Sequence, residues 1–328
     1  MHRDPRAEAA ALVGAEYEPF VLEPSPPTVT EPPYFADDPM DLTRADGRPT
    51  IVPAGHPGDL SWDDWLAQHP EHRDWVSRRW LGGDRRLPAV PTGYAAGREA
   101  LHRLGAYVMA PVRHAANGKF GLRFTLDGFG TPFFGGDRQV RVAADVVVDQ
   151  RGEAARSIAI TTLREVAEAL GGEVDELTRE SDGPAAGDVD EPLRVDPSVT
   201  GFLGAWYGMA TAALELLRAR HPDATRPQLW PGHFDVAVEL GDTAVRGSYG
   251  ASPGDAAIGE PYLYVSVWDP DAAGLERGAD VWNASAFPGR VLRLSDLDAG
   301  TDPVPQAVRF WAETYDLLIQ ARHHPATE

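Results

Sequence analysis

No cysteine occurs in the 328 residues. Disulfides, thiolate nucleophiles and Cys-ligated zinc or iron–sulfur centres are excluded by that alone. Lysine is nearly missing as well, with Lys119 the single example. Its scarcity removes most Schiff-base and Ser–Lys chemistry. No stretch approaches the about 18 uninterrupted apolar residues of a membrane-spanning helix. Basic charge is in deficit: 30 Lys and Arg face 50 Asp and Glu, for a formal net charge of -20. So acidic a chain repels phosphate backbones and anionic bilayers, so neither nucleic acid nor membrane is expected as a partner. The opening stretch, Met1 to Tyr17, carries Arg3, Asp4, Arg6 and Glu8 without a long apolar run. It does not read as a secretory signal, and the expected location is cytoplasmic.

What is present suits a folded body. The hydrophobic fraction is 43%, enough for a sizeable core in one large domain or two ordinary ones. Residues 1–60 form the least globular part. Runs such as Glu23-Pro24-Ser25-Pro26-Pro27 and Glu31-Pro32-Pro33-Tyr34 cannot hold a helix and predict an extended proline-rich arm. Residues 61–328 read as α+β, with antiparallel sheets packed against long amphipathic helices. Ser61 starts a helix carrying Trp75 and Trp80 that stops at Gly82-Gly83. A longer helix is predicted from Gly93 to Ala115, with Tyr94, Leu101, Leu104, Val108 and Val112 on one stripe and a kink at Pro111. The period then changes to two. Phe120, Leu122, Phe124 and Leu126 alternate with polar residues as a half-buried strand. A Gly/Pro loop, 127–136, leads to strands near Arg138–Val148 and Ser157–Ile160. Thr162 and Glu165 then signal a capped helix ending at Gly171-Gly172.

Residues 173–196 carry nine acidic side chains against two arginines and read as a solvated loop. They divide the body into two candidate subdomains, 61–172 and 197–328. The second opens on a helix over Ser198–Arg220 with Phe202, Trp206, Met209, Ala213 and Leu217 on one stripe. Three strands follow, then a strand near Val291–Leu294 and a helix over Pro305–Arg322. Each half runs helix, strands, helix, although no residue-level repeat accompanies the pattern.

The candidate site lies between Trp230 and Trp268. Phe234, Val236, Val238 and Leu240 alternate with His233, Asp235, Ala237 and Glu239. Val245, Gly247 and Tyr249 alternate with Arg246 and Ser248. Leu263, Val265 and Val267 alternate with Glu260, Tyr262, Tyr264, Ser266 and Trp268. Paired as a meander, the aliphatic set makes a floor for helices, and the other set gathers acids, hydroxyls and aromatic rings. A wetted sheet face accounts for the short polar residues. Tyr and Trp, with large apolar areas to bury, favour a covered pocket. The expected arrangement is a small-molecule site with Arg246, Ser248, Glu260, Tyr262, Tyr264 and Trp268 in contact with the ligand. Arg246 would be its anion contact. The alternative is an enzyme using His233 with Asp235 or Glu239 for acid–base chemistry, His233 as general base, or for metal-assisted chemistry. A third reading is a protein-interaction module using the exposed aromatics and the arm.

Three motifs resemble chemistry without supporting it. Gly250-Ala251-Ser252-Pro253-Gly254 has the spacing of a nucleophile elbow, but Pro253 lacks the backbone N–H that the oxyanion hole needs. It reads instead as a tight turn with Gly254 at positive φ. His69-Pro70-Glu71-His72 suits a solvated helix start. His233, Asp235 and Glu239 could meet a metal on the strand alternation, yet match no recognised metal spacing, and no metal or cofactor is expected.

From about Tyr94 to Leu297 the chain resembles an uncharacterised actinobacterial protein family. The resemblance is carried by Gly128-Phe129-Gly130-Thr131-Pro132, Thr161-Thr162-Leu163-Arg164, Trp230-Pro231-Gly232-His233-Phe234-Asp235, Tyr249 to Asp255, Glu260 to Val265, and Trp282-Asn283-Ala284. It implies a bacterial cytoplasmic origin and brings no catalytic residue with it.

Overall fold

The computed structural model describes residues 86–323 apart from 126–127, 133, 135–137, 152–153, 178–182, 222, 243–244, 272 and 274–280, together with residues 51–52, 60–61, 67 and 70. Most of the proline-rich arm, the Trp75–Trp80 helix, most of the His69–His72 motif and Leu126 lie outside the described residues. Ile51–Val52 and Leu60–Ser61 pair as a short parallel ladder, so Ser61 lies in a strand rather than opening a helix. The fold is α+β, as the alternating periods predict.

Helix α1, Tyr94–Leu104, runs through a π turn, Gly105–Met109, into α2, Ala110–Asn117. Pro111 explains the interruption. Without an N–H it cannot bond back to the carbonyl four residues earlier. That carbonyl, of Tyr107, accepts the Asp175 N–H at 3.1 Å instead. The widened turn closes through the Ala110 N–H and the Gly105 carbonyl.

Two five-stranded sheets follow, each a simple antiparallel meander. The first contains β1 (Arg123–Thr125), β2 (Gly128–Gly130), β3 (Arg138–Ala143), β4 (Val146–Arg151) and β5 (Ala154–Ala159). The second contains β6 (Gln228–Trp230), β7 (Asp235–Leu240), β8 (Gly247–Ser252), β9 (Tyr262–Val267) and β10 (Gly289–Arg293). Helix α3, Leu163–Leu170, follows the first sheet. Helix α4, Pro197–Arg220, precedes the second, and α5, Pro303–His323, succeeds it. Each half is thus helix, meander, helix. The sheets meet at their first strands, where Leu122 and Leu229 exchange both backbone hydrogen bonds, at 2.8 and 2.9 Å.

The caps follow the sequence signals. Thr162 accepts the Glu165 N–H at the start of α3, and Gly171 ends it at φ 78. Asp196 accepts the Ser198 N–H ahead of Pro197 at the start of α4. Helix α4 was expected to bury one stripe. It is buried on nearly every face, because it touches strands of both sheets, α1 and α5. A single apolar cluster joins residues from both sides of segment 173–196. Among the described residues no helix is long and apolar enough to cross a membrane.

Several expectations are corrected. Strand β1 is buried on both faces rather than one, with Arg123 and Thr125 as inaccessible as Phe124. Phe120 lies before it and is exposed. The 127–136 segment is not all loop, since Gly128–Gly130 is a strand. A Cβ at residue 128 would lie 2.1 Å from the Val142 carbonyl oxygen, so glycine lets the strands approach. Arg138–Val148 is a hairpin turning at Ala144, φ 54. Segment 173–196 keeps most of its acids in solvent, but its backbone is pinned. Leu193 is buried and its N–H reaches the Thr161 carbonyl at 2.7 Å. The Tyr107 hydroxyl donates to the Pro184 carbonyl at 2.7 Å, and Arg103 Nε to Ala186 at 2.9 Å.

Candidate functional site

The second sheet has two chemically distinct faces. Register pairs Val238 with Tyr249 and Tyr249 with Val265, which places the aliphatic set together against α4 and α5. The same register pairs Glu239 with Ser248, Ser248 with Ser266, Gly250 with Tyr264, and Ser252 with Tyr262. These residues share the opposite face. It forms the floor of a cleft of about 1040 Å³, walled by α1 and by the 253–258 turn.

The floor is built around Asp235. The residue is 4% exposed, and its carboxylate accepts the Tyr264 hydroxyl in a short hydrogen bond. Burial, and then the neighbouring Asp235, holds the Tyr264 phenol well above the ordinary tyrosine range. Glycine at 250 makes room for that ring. A Cβ there would sit 2.7 Å from the Tyr264 Cζ and hydroxyl. The backbone carbonyl of Tyr264 accepts the indole N–H of fully buried Trp311 at 3.1 Å, so the strand carrying the tyrosine is tied to α5.

One wall is a rigid turn. Gly254 takes φ 94, its N–H reaches Ser252 Oγ at 3.1 Å, and the Pro253 carbonyl accepts the Tyr94 hydroxyl at 2.8 Å. The Asp255 carboxylate accepts the Ala257 and Ile258 N–H groups, both at 2.7 Å, and the Tyr262 hydroxyl at 2.5 Å. Burial and then Asp255 raise the Tyr262 phenol.

The facing wall comes from α1, which presents Arg98, Glu99 and His102. His102 stacks on Phe234, with centroids 4.8 Å apart and planes 7° off parallel. Its Nε2 lies 2.9 Å from the Pro231 carbonyl and 3.0 Å from that of Gly232. Both partners are acceptors, so Nε2 carries the proton. Burial lowers its pKa to about 4, and the imidazole is neutral at pH 7. Arg98 differs from the other charges. Its Nη1 is buried against the Gly254 turn and meets no acceptor among the described residues.

His233, Asp235 and Glu239 do line one cleft, but not by the alternation expected. Strand β7 begins at Asp235, and His233 lies in the preceding turn, exposed at the rim. Phe234 adopts φ 58, turning its ring into the core against Phe129 and Tyr207 while its carbonyl accepts the Tyr207 hydroxyl at 2.7 Å. Among the described residues no group of His, Asp or Glu is placed to hold a metal ion. Ser248, Tyr262, Tyr264 and Trp268 line the cleft, and Trp268 Nε1 donates to Ser248 Oγ at 3.1 Å.

Arg246 and Glu260 stand outside it. Arg246 pairs with Glu239 at 2.5 Å and lies over the Trp268 ring at 5.1 Å, so its charge is already matched. Glu260 accepts the Ser295 N–H at 3.0 Å and its hydroxyl at 3.1 Å, fastening the end of β10. Sequence reasoning missed Arg98, His102, Ser252 and Asp255. Arg98 and His102 do carry a signal, an i,i+4 pair of basic residues on one side of α1, away from the apolar stripe.

No protein-family model, curated protein or solved structure matches the chain. The functional reading therefore rests on geometry.

Proposed function

We propose that the protein binds a small organic molecule in the cleft above the polar face of β7, β8 and β9. One observation carries the reading. A buried carboxylate–phenol pair, Asp235 with Tyr264, sits at the floor of a roomy cleft flanked by Tyr262, Phe287 and Trp268. Burying a carboxyl group is costly, and a sheet face with no ligand has no need of one. Aromatic walls with a few fixed polar groups match the make-up of small-molecule sites. The charge of -20 weighs against nucleic acid or a membrane as the partner.

Native mass spectrometry of the full chain tests this. A small molecule released on denaturation from the wild type, and absent from Tyr264→Phe, is the expected result. A clean spectrum, together with no binding of any compound from an aromatic fragment library, would overturn it. An enzymatic reading has one observation in its favour, since His233 lies at the mouth of the cleft that holds Asp235. His233→Gln separates the two. Binding survives that change if His233 is a rim contact, whereas turnover is lost if it is a general base.

A further inference from the structure

Most of the ionisable groups around the cleft are partnered or, like Glu99, exposed to solvent; Arg98 is the half-buried exception. Glu239 is paired with Arg246 at 2.5 Å, and Asp235 is bonded to the Tyr264 hydroxyl. Asp255 is held by two backbone N–H groups and the Tyr262 hydroxyl. His102 spends its N–H on two carbonyls. Arg98 makes no hydrogen bond or ion pair among the described residues, although it lines the cleft and its Nη1 is shut off from solvent. A guanidinium is always charged and has five donors. Burying one of its nitrogens without an acceptor is unfavourable, and a ligand anion in the cleft would supply that acceptor.

The seat of this arginine is built. Gly254 leaves the space for it, because a Cβ at that residue would lie 2.7 Å from Arg98 Nη1. The turn bearing Gly254 is fastened to the same helix through Tyr94, whose hydroxyl bonds the Pro253 carbonyl at 2.8 Å. Helix and turn therefore hold the guanidinium between them.

We infer that Arg98 is the anchor for the carboxylate of a monoanionic ligand whose body lies over Tyr262 and Tyr264. This rests on the cleft being a small-molecule site and names the ligand class. The other ionisable groups around it decide the kind of anion. Glu99, Asp235 and Asp255 line the cleft, and their repulsion grows with the charge of the ligand, so a singly charged carboxylate is disfavoured less than a dianionic phosphate. Guanidinium and carboxylate also match as planar, two-pronged partners.

Matched pairs of probes test the assignment. Benzoate, phenylacetate and indole-3-acetate are titrated into the full chain beside their primary amides, by ligand-observed NMR and calorimetry at pH 7. The acids are expected to bind about tenfold or more tighter than the amides in wild type. In Arg98→Gln the acids should fall to the affinity of the amides, while the amides are unchanged. The variant should melt no lower than wild type, because Arg98 has no hydrogen-bond or ion-pair partner among the described residues to lose. Amides binding as well as acids, or an acid preference that survives Arg98→Gln, would overturn the carboxylate anchor and leave the cleft reading standing. A large fall in melting temperature for Arg98→Gln would make the arginine structural and overturn it too. Binding of neither series would overturn the cleft reading along with it.

Discussion

Protonation of His102 should weaken the fold as pH falls below about 6.5. The ring is stacked on Phe234 and donates to the Pro231 and Gly232 carbonyls, and burial lowers its pKa from 6.5 to about 4. The unfolded chain therefore binds a proton at this residue over a range where the folded chain does not, and stability falls as protons are added. The loss begins near pH 6.5 and levels off below about pH 4. At about 1.4 kcal/mol per tenfold change in proton affinity, it amounts to about 2 kcal/mol at pH 5 and about 3 kcal/mol near pH 4. Urea unfolding from pH 7 to pH 4.5 measures it, with His102→Gln as the reference. Glutamine keeps an N–H for the two carbonyls but cannot titrate. Carboxylates contribute equally to both proteins, so the difference between the two curves isolates the imidazole. A difference that widens by about 2 kcal/mol between pH 7 and pH 5 is expected. Parallel curves would refute the reasoning.

Tyr94, Tyr207, Tyr249, Tyr262 and Tyr264 all have phenols raised by burial. Their neutral forms favour the fold, so stability should be intact below pH 10 and fall above it, with tyrosinate absorbance at 295 nm rising in step with loss of circular dichroism. Smooth titration of all nine tyrosines in a folded chain would contradict this. Gly250→Ala should push Tyr264 off Asp235, cost about 1–3 kcal/mol in chemical denaturation, and abolish binding in the cleft. Trp311→Ala removes a fully buried indole and its bond to the Tyr264 carbonyl, for a loss of about 3–5 kcal/mol by the same assay. Thr162→Ala should cost only about 1 kcal/mol, because a single helix cap is lost.

The second sheet was the legible part of the molecule. Clean alternation over Val236–Leu240 and Leu263–Val267 specifies which side is buried, and a one-residue slip would invert it. Hence the shared face of Glu239, Ser248, Tyr262 and Tyr264 could be read from residue order. Three features could not. Phe234 at φ 58 breaks the alternation just before Asp235, and nothing in a phenylalanine signals a left-handed backbone. Gly128–Gly130 pairs as a strand because close approach to Val142 selects glycine there, against its intrinsic preference. Arg98 and His102 are more than 130 positions from the strands they face, and the apolar stripe of α1 draws attention to the other side of the helix. The π turn was half-visible. Pro111 announces an interruption, but only the Asp175 N–H on the Tyr107 carbonyl determines its form.

A crystallographic fragment screen on the full chain addresses the small-molecule cleft most directly. The account predicts fragments collecting over Tyr262 and Tyr264, with carboxylates turned towards Arg98. Fragments scattered elsewhere, with the floor around Asp235 bare at saturating concentrations, would contradict it.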